Sequence, residues 1–319
     1  MAKKKKLKIK KQVIYFILIV FALIVGTILG IHYWNDYQYK QTNEYKLLSK
    51  GYTKEETELL FQKLTEEKIQ ELLEQEKNET LLAILNEKYY LSKNLDAYLE
   101  YQKRNTNTST YDIVALINTG AHQDWYENIV DADTSLGNLL LVNKFHQLAN
   151  DYSPENLIKV SKQHSYGEQQ ITKEAYEGFQ NMFNKAKEEN VTFFINSSYR
   201  NYKDQEDTYN SLKKAYGSSK ADSQAARPGH SEHETALAFD IFTPGNTSTG
   251  NFKDSKAYEW LKENAQDYGF IERYPEGKEY LTGYNYEAWH WRYVGIEVAK
   301  QIKEEEITFD EYYAFYIEQ

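Results

Sequence analysis

From Val13 to Ile31 the chain reads VIYFILIVFALIVGTILGI, a run without a single charged or strongly polar side chain. As a helix such a run rises about 1.5 Å per residue and spans roughly the 30 Å of hydrocarbon in a bilayer. Lysines flank it on the N-terminal side only. Basic flanks stay in the cytoplasm, so the pattern predicts a cytoplasmic basic tail at 1–12 and a transmembrane anchor at 13–33, with everything after about Trp34 outside the cell. A cleaved secretion signal is the competing reading. The run is long for one, and no A-x-A cleavage site follows.

Between Asn43 and Arg104 the pattern changes to Glu, Lys, Gln and Leu, with no proline and one glycine, Gly51. Thr53 followed by Glu56 has the spacing of a helix-starting capping box. Leu59, Leu60, Leu64, Ile69, Leu72 and Leu73 recur at helical intervals. Residues 34–107 are therefore expected to form several short helices, serving as a stalk or as a partner-binding module with a partner still to be identified. The polar break NTNTST at 105–110 suggests a further domain over 108–319. Within it, YDIVALIN and GNLLLVN read as short strands or buried segments, and EAYEGFQNMFNKAKEEN as an amphipathic helix. VTFFINSSY and ALAFDIFT read as strands, SKAYEWLKENAQDYG as a helix ending at Gly269, and HWRYVGIEVAKQI as a strand running into a helix. This order is α+β, without regular βαβ alternation.

Composition narrows the chemistry. The formal charge is −10, although the first twelve residues hold seven lysines and no acid, so the remainder is more acidic still. A nucleic-acid-binding body is not expected. The absence of cysteine excludes disulfides, a thiolate nucleophile and thiolate metal ligands. No Gly-rich phosphate loop is present to support nucleotide chemistry.

Candidate chemistry gathers near the C-terminal end. SEHETALAFD holds His233 and Asp240, and YEAWHWRYVG holds Glu287 and His290. Seven residues separate His233 from Asp240, too far for one helix turn. A loop entering the alternating strand ALAFD can bring them together. Two imidazoles and a carboxylate suit a catalytic zinc site that leaves its fourth position to water, and a nearby glutamate can handle the water's proton. Arg200, at the end of VTFFINSSYR, can grip a carboxylate through two parallel hydrogen bonds. His230 is the alternative ligand, but the aspartate spacing favours His233 and leaves His230 to line the cleft.

Four blocks in order, SSYRNYKDQ, ARPGHSEHETALAFDI, W-x-x-x-N-A-x-x-Y-G-F-I-x-R-Y-P and TGYNYEAWHWRYVG, make residues 138–296 resemble the VanY-type zinc D-alanyl-D-alanine carboxypeptidases of the hedgehog/DD-peptidase fold group. The resemblance implies a small antiparallel sheet flanked by helices and one Zn2+ per chain. It implies His233, Asp240 and His290 as metal ligands, Glu287 as general base, Arg200 as substrate-binding and catalytic, and Gln205, Ser231 and Trp289 around the substrate. The implied activity is removal of the terminal D-alanine from peptidoglycan stem peptides by metal and not serine chemistry. An L,D-carboxypeptidase acting on tetrapeptide stems and a catalytically inactive wall-binding protein are the alternatives. One departure is visible, since Ala236 stands where the family has glycine. Its methyl is harmless in ordinary strand geometry and crowded if the position needs positive φ.

Overall fold

The computed structural model describes residues 10–245 and 249–318, and most of the expected basic tail, residues 1–9, lies outside them. The chain divides into two compact units, one ending at Ser92 and one beginning at Lys93.

In the first unit, α1 (Lys11–Lys40) carries the apolar run, is long and apolar enough to cross a membrane, and buries none of it within the protein. The helix outlasts the predicted anchor because nothing in HYWNDYQYK breaks it before Thr42, whose hydroxyl caps the next helix by accepting from the Tyr45 amide. Four short helices follow: α2 (Asn43–Ser49), α3 (Lys54–Lys63), α4 (Glu66–Leu73) and α5 (Glu79–Asn86). Thr53 and Glu56 form the expected reciprocal cap at the start of α3. Leu60, Ile69, Leu72 and Leu73 are buried, while Leu59 and Leu64 are half-buried.

The second unit opens with α6 (Leu95–Arg104) and α7 (Thr110–Asn118). NTNTST is the turn between them, so the boundary expected at 107/108 falls inside this unit. The two helices belong together because the hydroxyl of fully buried Tyr98 donates to Asn118. YDIVALIN, read as a strand or buried segment, is the helix α7 with Ile113 to Ile117 all buried. Its five-residue apolar centre, IVALI, fits either state, and periodicity does not separate them. GNLLLVN forms the end of a 3-10 turn, followed by buried irregular chain.

Two small pairings come next, β1 (Val130–Asp131) with β2 (His146–Gln147), and β3 (Leu157–Lys159) with β4 (Gln170–Thr172). Beyond them are α8 (Lys173–Glu188), β5 (Phe194–Ser197), α9 (Tyr202–Tyr216), α10 (Ser218–Gln224), β6 (Ala238–Phe242) and α11 (Lys256–Asn264). The chain then runs through β7 (Phe270–Glu272), α12 (Glu279–Thr282), β8 (His290–Tyr293), α13 (Ile296–Glu305) and α14 (Phe309–Tyr316). The main sheet has the order β5-β6-β8-β7, antiparallel throughout.

One face of this sheet makes the core. Tyr176, Phe179, Met182 and Phe183 recur at helical spacing along α8 and pack with Phe239 and Ile241 of β6 and Trp291 of β8. The rings of Phe179 and Phe239 meet edge to face at 5.5 Å. Gly178 permits the close approach, since a Cβ there would lie 2.8 Å from the Tyr268 carbonyl oxygen. Strand alternation sends Asp240 and His290 to the opposite face. They stand directly across from each other in the β6–β8 register, as Phe239 does from Trp291.

The turn into β6 is made at Ala236, which adopts left-handed backbone, φ 55° and ψ 21°, and is fully buried. The position thus has the geometry that favours glycine, at a cost of roughly 1–2 kcal/mol for any L side chain. Glycine would relieve that strain but lose backbone entropy and a buried methyl, each worth about 0.5–1 kcal/mol. Ala236→Gly should therefore leave stability within about 1 kcal/mol of the parent, whereas Ala236→Val should lower it by more than about 2 kcal/mol through added overpacking. Chemical denaturation of both variants checks the pair.

Candidate active site

Three elements deliver the donor atoms. Asp240 comes from β6, His290 from β8, and His233 from a 3-10 turn, Glu232–Thr235, that precedes β6. The sequence Ser231-x-x-Glu234 closes this turn with a capping box. The Arg200 amide donates to the His233 carbonyl at 3.2 Å, tying the turn to the end of β5.

Each imidazole is turned by its other nitrogen. His233 Nδ1 lies 2.8 Å from the Ser198 carbonyl, which can only accept, so Nδ1 carries the proton and Nε2 is left with its lone pair. That Nε2 sits 3.6 Å from Asp240 Oδ1. His290 is held the other way round. Its Nε2 donates to Glu232 Oε2 at 3.4 Å, and its Nδ1 faces Asp240 Oδ1 at 3.2 Å. Ligand atoms of the three residues all lie within 4.8 Å of one another. Donors about 2.0–2.1 Å from a tetrahedral zinc stand about 3.3 Å apart, so the set fits that ion.

The electrostatics agree with this use. Burial, helped by the Arg200 charge, holds His233 down to about 4, which keeps the ring neutral. His290 is pulled down by burial but more strongly up by hydrogen bonds to Asp240 and Glu232, reaching about 9, so positive charge at Nδ1 is favoured there. Asp240 lies well below the usual carboxylate range, because His233 and His290 outweigh its burial. Glu287 Oε2 is 3.8 Å from His290 Nδ1, and burial pushes its carboxyl up to about 7. A divalent cation beside it acts in the opposite direction.

These groups line a cleft of about 260 Å³ together with Arg200, Gln205, Ser231 and Trp289. Every site residue expected from sequence is thus brought to one place. Arg200 Nε and Gln205 Oε1 are buried and have no hydrogen-bond partner among the described residues. Such unpaired groups are what a polar ligand would satisfy. His230 does not line the cleft as expected. Its Nδ1 bonds the Asn143 carbonyl at 2.8 Å and its ring meets Tyr126 edge on.

Sequence reasoning missed Glu232, Arg273 and Arg292, all fully shielded from solvent and paired with one another. The available signal was an arginine inside each of the apolar runs FIERY and HWRYVG, since a buried guanidinium demands an acid. It also missed the aromatic wall. The Tyr274 ring lies 5.0 Å from His290, and Tyr284 lies 5.0 Å from Tyr274. Behind them Lys144 is buried, its Nζ 4.5 Å from the Tyr284 ring centre and donating to the Asp222 carbonyl at 2.7 Å.

A His–Asp–His donor set in a cleft, with a carboxyl at its edge, defines the class of mononuclear metallohydrolases. Residues 168–296 match the family described as VanY: D-alanyl-D-alanine carboxypeptidase. The putative carboxypeptidase YodJ of Bacillus subtilis (strain 168) is 36% identical over 222 residues, covering 66% of this chain and 79% of the relative. A D-alanyl-D-alanine carboxypeptidase of Enterococcus faecium is 31% identical over 224 residues, covering 67% and 69%. Among solved structures, the LdcB LD-carboxypeptidase aligns with a TM-score of 0.56 at 35% identity, over 59% of this chain and 91% of LdcB. The chain belongs to the VanY family of D-alanyl-D-alanine carboxypeptidases.

Lys144 offers a check on the wall. Burial, the largest influence, pulls its pKa down to about 8 from 10.5. Between those values the unfolded chain binds the extra proton, so the folded state gains stability as pH rises. From pH 7 to 9.5 the gain is about 2 kcal/mol. Urea unfolding at both pH values should show this gain in the parent and not in Lys144→Met, and an equal pH response of the two proteins would contradict the burial of a lysine charge here.

Proposed function

We propose that this chain is a membrane-anchored, zinc-dependent carboxypeptidase that removes the terminal D-alanine from peptidoglycan stem peptides, with α1 as the anchor and the second unit outside the membrane. The helices between serve as a stalk. The convergence of His233 Nε2, Asp240 Oδ1 and His290 Nδ1 at donor spacing carries the reading.

These three residues would hold the ion, whose contribution when bound is to polarise the scissile carbonyl and to acidify water. Glu287 acts as the general base: its Oε2 takes the proton of the attacking water and passes it to the leaving amine nitrogen. A carboxyl positioned beside the attacking water is suited to move a proton in both directions. Arg200 pairs the terminal carboxylate of the substrate through parallel N–H groups and holds the peptide in register. Gln205 offers Oε1 to a substrate N–H, Ser231 adds a polar contact, and Trp289 forms the wall against which the side chain rests.

The likeness to LdcB supports a second reading, an L,D-carboxypeptidase on tetrapeptide stems. Mass spectrometry of pentapeptide and tetrapeptide muropeptides incubated with the protein, with and without chelator, separates the two. Loss of one alanine from the pentapeptide only is the expected result, and chelator-resistant cleavage or none would overturn the assignment.

Glu287→Ala should lower kcat by about 10²–10⁴-fold and retain zinc by elemental analysis. Asp240→Ala should lose the metal together with the activity. Arg200→Lys, which keeps the charge but not the fork, should raise KM by about ten-fold or more with a smaller effect on kcat. An unchanged KM would remove Arg200 from substrate binding.

A further inference from the structure

Behind His290, four charged side chains close on one another. Glu232, Arg273 and Arg292 are 0% exposed and Asp310 is 3% exposed. Glu232 Oε1 accepts from Arg273 Nε at 2.7 Å and from Arg292 Nη1 at 2.8 Å, which leaves Oε2 for His290 Nε2. The far edge of Arg273 is taken by Asp310, with Nη1 donating at 2.6 Å and Nη2 at 3.2 Å. Asn143 Nδ2 donates to the same carboxylate at 2.8 Å. Asp310 lies in α14, beyond the segment 168–296 that matches the family.

We propose that Asp310 is a positioning residue for the metal centre, acting through Arg273 and Glu232 on the orientation of His290. The inference rests on His290 being a metal ligand, as argued above. Geometry and charge both point this way. Arg273 is spanned by two carboxylates, so its plane is fixed from both ends. Glu232 is thereby held with one oxygen on the guanidinium groups and the other free for the imidazole. The set balances two acids against two bases. Without the Asp310 charge it carries an excess positive charge, Arg273 has Glu232 as its remaining acid, and a divalent ion in front of His290 is held less well.

The neighbouring Glu311 supplies the control. It is also buried, but it accepts from the Thr308 amide at 2.7 Å and the Tyr111 hydroxyl at 2.6 Å, fastening the same helix without touching Arg273. Glu311→Gln and Asp310→Asn remove the same charge from the same helix, so a difference between them isolates the path through Arg273.

The test uses the full chain in detergent. Zinc affinity is read by competition with a chromophoric chelator, ligand geometry from the d–d absorption of the cobalt(II) form, and stability by thermal unfolding. Asp310→Asn should weaken zinc by about ten-fold, the lower end for partners of metal-bound histidine, and should shift the cobalt band. Glu311→Gln should lower the Tm and leave zinc affinity unchanged. In the Glu232→Gln background, Asp310→Asn should have no further effect, because residues acting through one path are not additive. Parent-like affinity and spectrum in Asp310→Asn, an equal loss in Glu311→Gln, or additive losses would each overturn the proposal. If Asp310→Asn does not fold, Arg273→Lys carries the same expectation, since lysine keeps the charge but cannot span both acids. Unchanged affinity there overturns it equally. A parent that takes up no zinc overturns the functional reading and this proposal with it, whereas a zinc-binding parent with an indifferent Asp310 overturns this proposal alone.

Discussion

The register of β6 against β8 is the constraint on which the rest depends. Asp240 faces His290 across the two strands, and Phe239 faces Trp291 one step away. Because successive side chains alternate between faces, a slip of β6 by one residue against β8 would drive Asp240 into the aromatic core and Phe239 into the cleft. The packing of Phe239 and Trp291 with α8 therefore fixes the spacing of Asp240 and His290 as well. His233 joins them from the 3-10 turn, located by the Ser198 carbonyl behind its ring.

Four buried charges sit close to that register, and stability alone does not explain them. Removing two acids and two bases from water costs several kcal/mol per ion, and hydrophobic replacements of buried ion pairs are often as stable or more so. What the set does provide is direction. Arg292 also donates to the Asn138 and Leu140 carbonyls, so the loop before β2, the sheet and α14 are fastened around Glu232. Membership of the VanY family agrees with this layout, in which a small sheet carrying Asp240 and His290 is surrounded by helices.

Much of this was legible in the sequence, for identifiable reasons. Alternation in ALAFD and helical spacing in EAYEGFQNMFNKAKEEN place β6 and α8, and Asp240 within the first and His290 at the head of HWRYVG stand out by their chemistry. YDIVALIN was ambiguous because its apolar centre, IVALI, has no period, and its helix is decided by packing. The polar NTNTST looked like a boundary but joins two paired helices, since turns and linkers share a composition. The pairing of Glu232 and Asp310 with Arg273 was not legible for another reason. Their partners lie 41 and 37 residues apart in the chain, and a single sequence carries no sign of which distant acid meets which base. Ala236 was flagged by its departure from glycine, and the structure supplies the left-handed backbone that gives the departure its meaning.

The two histidines are not equivalent partners for a cation. One imidazole leans on a neutral peptide oxygen and the other on an ionised carboxylate. A carboxylate behind an imidazole raises its basicity. The ring from β8 is accordingly the more basic of the two, and a cation bound between them would be the less electrophilic for it. Any chemistry at a cation bound there would in this way be tempered by Glu232 through the imidazole it supports.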